Sequence, residues 1–347
     1  MFNFNTIEEY KKPYIIAEIG ANHNGDMTLA KKMIKEAKHC GADCVKFQSW
    51  SKNSIFSKKV YQDNFFLDDD YRNRTDYSLE EIVDEYSINK EQHIMLKAFC
   101  DEIGIDFAST PFSREEVDLL VDILDVPFIK VASMDLNNIP LLKYIAMKKK
   151  PVVISTGLCG LSDISDAVEC LKANGCQEII LLHCVSIYPP DDTMVNLNNI
   201  DMFRNTFGCK VGYSDHTLGT VAPIMSMAKG VCIIEKHFTL NKNMVGWDHK
   251  ISAEPLELEA ICNAAKIGYK MLGSYQKIVN ESVERQNAFK RSIVAARDIE
   301  CGEIIGENDI TYKRPGTGIE PKYYEFVVGR RAIRRIEKDQ IISKEDF

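Results

Sequence analysis

The chain has 347 residues, 45% of them hydrophobic, which is enough to bury a large core and to build one big domain plus a small one. A formal net charge of −8, with no basic run interleaved with aromatics, speaks against a nucleic-acid partner. No apolar run approaches the roughly 18 residues of a membrane span, and the 11 cysteines lack the paired spacing of zinc knuckles or redox couples, so the expectation is an unprocessed cytoplasmic protein, no membrane contact, and buried thiols such as Cys44, Cys184 and Cys232.

Behind a polar, acidic leader, short β-branched runs alternate with amphipathic stretches. The predicted strands are Tyr14 to Ile19, Cys44 to Phe47, Ile105 to Ala108, Phe128 to Val131, Val152 to Ile154, Ile179 to Leu182, Lys210 to Gly212 and Cys232 to Ile234. Helical spacing marks Met27 to His39, Lys90 to Glu102, Ser113 to Ile123, Ile164 to Asn174 and Thr220 to Lys229. Strand and helix alternating eight times imply an α/β fold, a closed parallel (β/α)8 TIM barrel, over residues 1–273.

Such a barrel gathers its chemistry where the strands end. Those ends read Glu18; Lys46 with Gln48; Ser109-Thr110; Lys130 with Ser133; Ser155-Thr156; His183 with Ser186 and Tyr188; Ser214-Asp215-His216; and Glu235-Lys236-His237. His216 and His237, one βα unit apart, could share a divalent metal at the rim, although each taken alone reads more readily as a hydrogen-bonded structural histidine. Lys46 and Lys130, each inside a buried strand with hydroxyls nearby, call for an anionic ligand, with a snorkelling side chain as the plainer alternative for Lys46.

Residues 49–86 are too long for an ordinary βα loop and mix Tyr61, Phe65, Phe66 and Tyr71 with Asp68, Asp69 and Asp70. Such an insertion covers a site, contacts another subunit, or is a solvated excursion. After a helical stretch ending near Leu272, residues 274–290 read as a linker and 291–347 as a compact, mostly-β module with short strands and glycine turns. In it, Pro315 and Gly316 fix a turn that presents Arg314, either to a ligand or to solvent.

Read together, Ile-Ala-Glu-Ile-Gly-Ala-Asn-His-Asn-Gly (16–25), Val-Lys-Phe-Gln (45–48), Ser-Thr-Pro-Phe (109–112), Ile-Ser-Thr-Gly (154–157), Leu-Leu-His-Cys (181–184), Tyr-Ser-Asp-His-Thr (213–217), Ile-Glu-Lys-His-Phe-Thr (234–239) and Lys-Arg-Pro-Gly (313–316) resemble the sialic acid synthase (N-acetylneuraminate synthase) family over nearly the whole chain. The carboxyl-terminal module resembles the antifreeze-like (SAF) domain of those enzymes. The resemblance implies a metal-dependent transferase that condenses phosphoenolpyruvate with N-acetylmannosamine and water, giving a nine-carbon 2-keto-3-deoxy sugar acid and phosphate. It also implies a divalent Mn2+ or Mg2+ on His216 and His237, and a domain-swapped homodimer.

By the same resemblance Glu18 handles the proton or the attacking water. Lys46, Thr110, Lys130, Ser133, Ser155, Ser186 and Ser214 hold phosphoenolpyruvate, while Gln48, Tyr188, Glu235, Asp248, Phe289 and Arg314 contact the amino sugar. Two positions depart from the pattern: Ser186 stands where some relatives have asparagine, and Trp247 where proline is frequent. The segments Lys46–Ser49 and Gly246–Lys250 lean toward legionaminic acid synthases, whose acceptor is the 2,4-diacetamido-2,4,6-trideoxymannose. A Schiff-base aldolase using Lys46 or Lys130, and a non-catalytic sugar-binding protein, are the remaining alternatives.

Overall fold

The computed structural model describes residues 1–64 and 77–347. The chain divides into two compact units, Met1–Gly273 and Ser274–Phe347. In the first, β1 (Tyr14–Gly20), β2 (Cys44–Gln48), β3 (Asp106–Thr110), β4 (Ile129–Val131), β5 (Val152–Ser155), β6 (Ile179–Cys184), β7 (Lys210–Asp215) and β8 (Ile233–His237) follow one another with helices between them. They form one eight-stranded sheet in the order β3-β2-β1-β8-β7-β6-β5-β4, with every ladder parallel. The expected barrel is therefore present, and it is nearly closed. Its one seam lies between β3 and β4, which form no ladder with each other.

Alternation along the strands decides what the barrel holds. One apolar cluster joins Ile16, Cys44, Ala108, Phe128, Val153, Ile180, Leu182 and Ile233, one parity of the eight strands. Two residues further along that parity come Glu18, Lys46, Thr110, Lys130, Ser155, Cys184, Ser214 and Glu235, so an apolar inner layer supports a polar one. Gly212 completes the apolar layer, because a Cβ there would lie 2.5 Å from Leu182 Cδ2 and 2.7 Å from the Ile233 carbonyl oxygen. The leader read as merely polar also belongs to this core. Phe2 and Phe4 pack against the same cluster, with the Phe2 ring 4.7 Å from Phe128, because the apolar layer would otherwise face water at the amino ends of the strands.

The opposite parity packs under the helices, among them Met27–Cys40, Lys90–Ile103, Leu161–Ala173, Val221–Ala228 and Pro255–Leu272. Asp26 caps the first of these by accepting from the Thr28 amide, and Asn89 with Gln92 forms a capping box on the second. The predicted helix from Ser113 to Ile123 forms as one α-helical turn, Arg114–Asp118, continued by a π-helical turn, Leu119–Ile123.

The described parts of the 49–86 insertion are folded rather than a bare solvated excursion. Helices Lys58–Asp63 and Leu79–Tyr86 enclose a small core of Trp50, Leu79, Ile82, Val83 and Tyr86, with Ile55, Phe56, Phe112 and Trp247 packed against it. Phe65, Phe66, Asp68, Asp69, Asp70 and Tyr71 lie outside the described residues.

In the second unit, β9 (Ser292–Ala295) pairs antiparallel with β10 (Ile310–Lys313) over a core of Ile293, Ile299, Ile305, Val327, Ile336 and Ile342. Isolated bridges such as Ile299 with Ile336 supply the rest of its β character. Within the stretch read as linker a helix forms, Val283–Phe289, because the Ser282 side chain accepts from the Arg285 amide.

Candidate active site

At the carboxyl ends of the strands a cavity of about 650 Å³ opens. Fourteen sequence-predicted residues line it: Glu18, Lys46, Gln48, Thr110, Lys130, Ser133, Ser155, Ser186, Tyr188, Ser214, His216, Glu235, His237 and Asp248. Phe289 and Arg314 belong to the second unit, where the Arg314 guanidinium lies 5.1 Å from the centre of the Phe289 ring.

Not every polar strand end faces the cavity. Asp215 and Lys236 occupy the outward parity and pair with each other at 2.6 Å, while His183 sends Nε2 to the Val195 carbonyl at 2.6 Å. Ser109 lies 2.6 Å from the hydroxyl of Ser49, and Thr156 donates to the Leu182 carbonyl. A side chain between two inward ones must point the other way, so the i, i+2 pairing of Ser214 with His216 and of Glu235 with His237 already carried this information.

The cavity floor is a buried network of alternating charge. Lys46 lies 2.6 Å from Glu18 and 3.8 Å from Glu235, and donates to Thr110 at 3.2 Å. Lys130 lies 3.9 Å from Glu235 and donates to Ser155 at 2.6 Å and to the Val131 carbonyl at 3.0 Å. Ser214 donates to Glu235 at 3.0 Å, and Gln48 to Glu18 at 3.1 Å. Each charge answers another, as burial requires.

Burial acts on all four groups, and neighbours decide the outcome. Burial pushes the Glu18 carboxyl up, Lys46 opposes it and Glu235 adds to it, for a net rise to about 7. For Glu235, burial also pushes upward, but Lys130 and Lys46 outweigh it and the carboxyl is held below its ordinary value. Burial lowers Lys130, against the attraction of Glu235. In Lys46 the same penalty is outweighed by Glu18 and Glu235, so its ammonium is held more firmly than usual.

His216 and His237 stand beside this floor with ring centres 5.4 Å apart. The Nδ1 of His216 is 2.7 Å from the Val185 carbonyl, which can only accept, so Nδ1 carries a hydrogen; burial lowers the ring but Cys184 and that carbonyl outweigh it and shift it upward, so Nε2 offers a lone pair only in the neutral ring. His237 is driven well below its ordinary value by burial and by nearby His216 and Lys46, which keeps the ring neutral. Its Nδ1 is buried without a hydrogen bond, 3.7 Å from an Asp248 carboxylate oxygen. Tyr188 covers the pair, its ring centre 4.2 Å from that of His216.

Sequence reading missed one wall. Trp50, Ile55, Phe56, Val83 and Phe112 also line the cavity, as do Cys184 and Trp247, the latter noted only as a departure. The wall comes mostly from the insertion, where neither strand nor helix spacing announces an inward face. The aromatic content of that segment was the available signal.

The NeuB family model matches residues 33–277, and the SAF domain model residues 290–347. An uncharacterized protein of Methanocaldococcus jannaschii is 44% identical, covering 96% of this chain and 94% of its own length. The N,N'-diacetyllegionaminic acid synthase of Campylobacter jejuni subsp. jejuni is 40% identical over 96% of this chain and all of its own. A crystal structure of an N-acetylneuraminic acid (sialic acid) synthetase from Leptospira borgpetersenii superposes with a TM-score of 0.67 at 32% identity, covering 80% of this chain and 90% of that one. The chain belongs to the NeuB family and carries a SAF domain at its carboxyl end.

Proposed function

We propose that the protein condenses phosphoenolpyruvate with an N-acetylated amino sugar of the N-acetylmannosamine type and water, releasing phosphate and a nine-carbon 2-keto-3-deoxy sugar acid. The observation that carries this reading is the inward polar layer, with Lys46, Lys130 and the hydroxyls of Thr110, Ser155 and Ser214 facing one cavity beside Glu18, Glu235 and two neutralisable imidazoles. The names of the Campylobacter and Leptospira relatives support it.

In the proposed reaction, C3 of phosphoenolpyruvate bonds to the sugar aldehyde carbon, and the aldehyde oxygen takes a proton. Water adds at C2, and the C2–O bond to phosphate breaks, leaving the ketone. Lys46 and Lys130 hold the donor's carboxylate and phosphate, with hydroxyl donors spreading the charge. Because Glu235 and Glu18 hold both ammoniums in place beforehand, little reorganisation is needed when the donor enters. Glu18, raised to about 7, can exchange a proton near neutrality and takes the one released by the attacking water.

A divalent cation, Mn2+ or Mg2+, fits the donor set of His216 and His237. With Nδ1 bound to a carbonyl, the neutral His216 ring would offer Nε2 to a metal, and His237 would offer the Nδ1 that is buried without a hydrogen bond. Charge supports the fit: among the described lining residues two lysines face three carboxylates, Glu18, Glu235 and Asp248, so the protein offers an anionic donor no surplus positive charge. Among the described residues no three His, Cys, Asp or Glu side chains cluster as a metal site, so water and substrate oxygen would complete the shell. When bound, such a cation supplies Lewis acidity to the sugar aldehyde.

Purified protein should release phosphate only when metal, phosphoenolpyruvate and an amino sugar are all present, and chelation should stop it. Release that is indifferent to chelation sinks the metal, and release that needs no sugar sinks the condensation. The burial-lowered Lys130 favours one second reading, a Schiff-base aldolase. A pyruvate adduct trapped on Lys130 by borohydride would establish it instead.

A further inference from the structure

One buried polar cluster of the barrel unit takes no part in the proposed reaction. Ser49, Ser109 and His93 are 4%, 0% and 0% exposed, and none of them lines the cavity. Ser49 and Ser109 follow Phe47 and Phe107 on the outward parity, where those two rings stack at 5.5 Å and the His93 ring stands edge-on to Phe107 at 6.4 Å. Apolar side chains of the same shape would pack there without a desolvation cost, so three polar ones at this depth need a reason beyond stability.

Their hydrogen bonds run one way only. His93 Nδ1 is 2.9 Å from the carbonyl of Asn89, the residue that caps helix Lys90–Ile103, and a carbonyl can only accept, so Nδ1 carries the hydrogen. Burial, opposed by the Asn89 and Ile88 carbonyls, holds the ring below its ordinary value, so it is neutral and Nε2 accepts. The Ser49 hydroxyl, 2.8 Å away, therefore donates to Nε2, and with its one hydrogen spent it accepts from Ser109 at 2.6 Å.

The relay clamps a weak point of the barrel. Because β3 ladders with β2 and not with β4, it is an edge strand whose end is held from one side. The last ladder pair is Gln48 with Thr110, after which the Ser49 amide donates to the Thr110 carbonyl at 2.9 Å and the insertion begins. These inward neighbours of the two serines touch the reacting groups. Gln48 accepts from the Trp50 indole at 2.8 Å and donates to Glu18 at 3.1 Å, and Thr110 accepts from Lys46 at 3.2 Å. Adjacent residues of a strand share one backbone, so fixing the outward side chain fixes where the inward one stands.

We propose that His93 is a positioning residue of the active site: it ends a hydroxyl relay through Ser49 and Ser109 that pins β2 to the edge strand β3, and thereby sets Gln48 against Glu18 and Thr110 against Lys46. The inference rests on the condensation reading for its effect on rate, and on the relay alone for its effect on Gln48.

Variants of the full chain separate positioning from packing. His93→Phe keeps a ring against Phe107 and leaves the Ser49 hydroxyl without an acceptor, so the urea midpoint should fall, and kcat for phosphate release should fall about tenfold. Adding Ser49→Ala and Ser109→Ala removes the stranded hydroxyls, so the midpoint should recover most of the way while kcat stays about tenfold down. His93→Gln keeps an acceptor for Ser49 and should hold kcat within about threefold. The two tryptophans give two indole N–H resonances, and Trp50→Phe identifies that of Trp50, which should move upfield in the triple variant as its bond to Gln48 loosens.

A triple variant with kcat within about twofold of the unaltered chain overturns the inference, as does His93→Gln as slow as His93→Phe, and in both cases the condensation stands. Should the triple variant not fold, Ser109→Ala decides, since it strands no hydrogen: an unchanged kcat with an unmoved Trp50 resonance overturns the inference, and a change in either carries it. If the unaltered chain releases no phosphate, the condensation falls and the indole alone decides. A Trp50 resonance that stays in place without the relay then overturns the inference, and one that moves carries it.

Discussion

Two buried lysines of this barrel have nearly the same first neighbour and opposite situations. Lys236 lies 2.6 Å from Asp215 and also donates to the Thr217 carbonyl, and Asp215 in turn accepts from the Tyr213 hydroxyl at 2.8 Å and from the Thr217 amide and hydroxyl at 3.0 and 3.1 Å. Lys46 lies 2.6 Å from Glu18, but that pair lines a cavity. Burial and charge are common to both, so neither marks a functional group. Saturation separates them: the outward network has spent its capacity on itself, and the inward one keeps a face open.

The difference should be measurable by the same substitution at both places. Lys236→Met leaves Asp215 buried without its cation, and is expected to cost about 3–5 kcal/mol of stability in urea unfolding. Lys46→Met should shift the urea midpoint far less, because Glu18 can take up a proton or meet cavity water, while phosphate release falls about a hundredfold to a thousandfold in kcat/KM. If the two variants lose stability equally, the distinction between sealed and open networks fails.

The same contrast runs through the histidines. His249 has Nδ1 2.7 Å from the Thr239 hydroxyl and Nε2 3.1 Å from Asn24, and His23 Nδ1 accepts from the Gly25 amide at 3.1 Å. Burial pulls each of these rings from an ordinary 6.5 down to about 4. Each ring therefore binds in the unfolded chain a proton that it refuses in the folded one between those values, so its own contribution to stability rises with pH across the window, against the opposite slope from the raised Glu18. That contribution is complete above about 6.5 and falls away toward 4, by about 3 kcal/mol for each ring. His249→Gln should flatten the stability profile between pH 4 and 6.5. An unchanged slope would remove His249 from the account.

How much of this was legible in the sequence follows from the same physics. β-branched runs located all eight barrel strands, because parallel strands covered on both faces must be apolar almost throughout. Strand ends located the polar layer, since Glu18, Lys46, Lys130 and Glu235 break apolar runs at a depth where charge needs a reason. Which polar residues face inward was also present in the spacing, yet Asp215 and Lys236 stood beside true site residues and read like them. The apolar wall was legible only in outline, as an aromatic insertion that could cover a site, and not residue by residue. Ile55, Phe56 and Val83 reach the cavity through the fold of an insertion, and no local period records a tertiary approach.

That wall offers the finest test of the comparison, because Trp50 is joined to the open network by a hydrogen bond and to its own core by packing. Trp50→Phe keeps an aromatic ring against Trp247 and removes the indole donor to Gln48. A neutral hydrogen bond of this kind contributes about 1 kcal/mol, so stability should hardly move. The Gln48 amide, however, loses the partner that fixes which of its atoms faces Glu18, and its flipped form would present oxygen to a carboxylate. Because Gln48 supports the proton-exchanging group rather than the donor anion, the loss should fall on kcat by about tenfold while the KM for phosphoenolpyruvate stays near that of the unaltered chain. Equal changes in both constants would instead place Trp50 in donor binding, and sever the wall from Glu18.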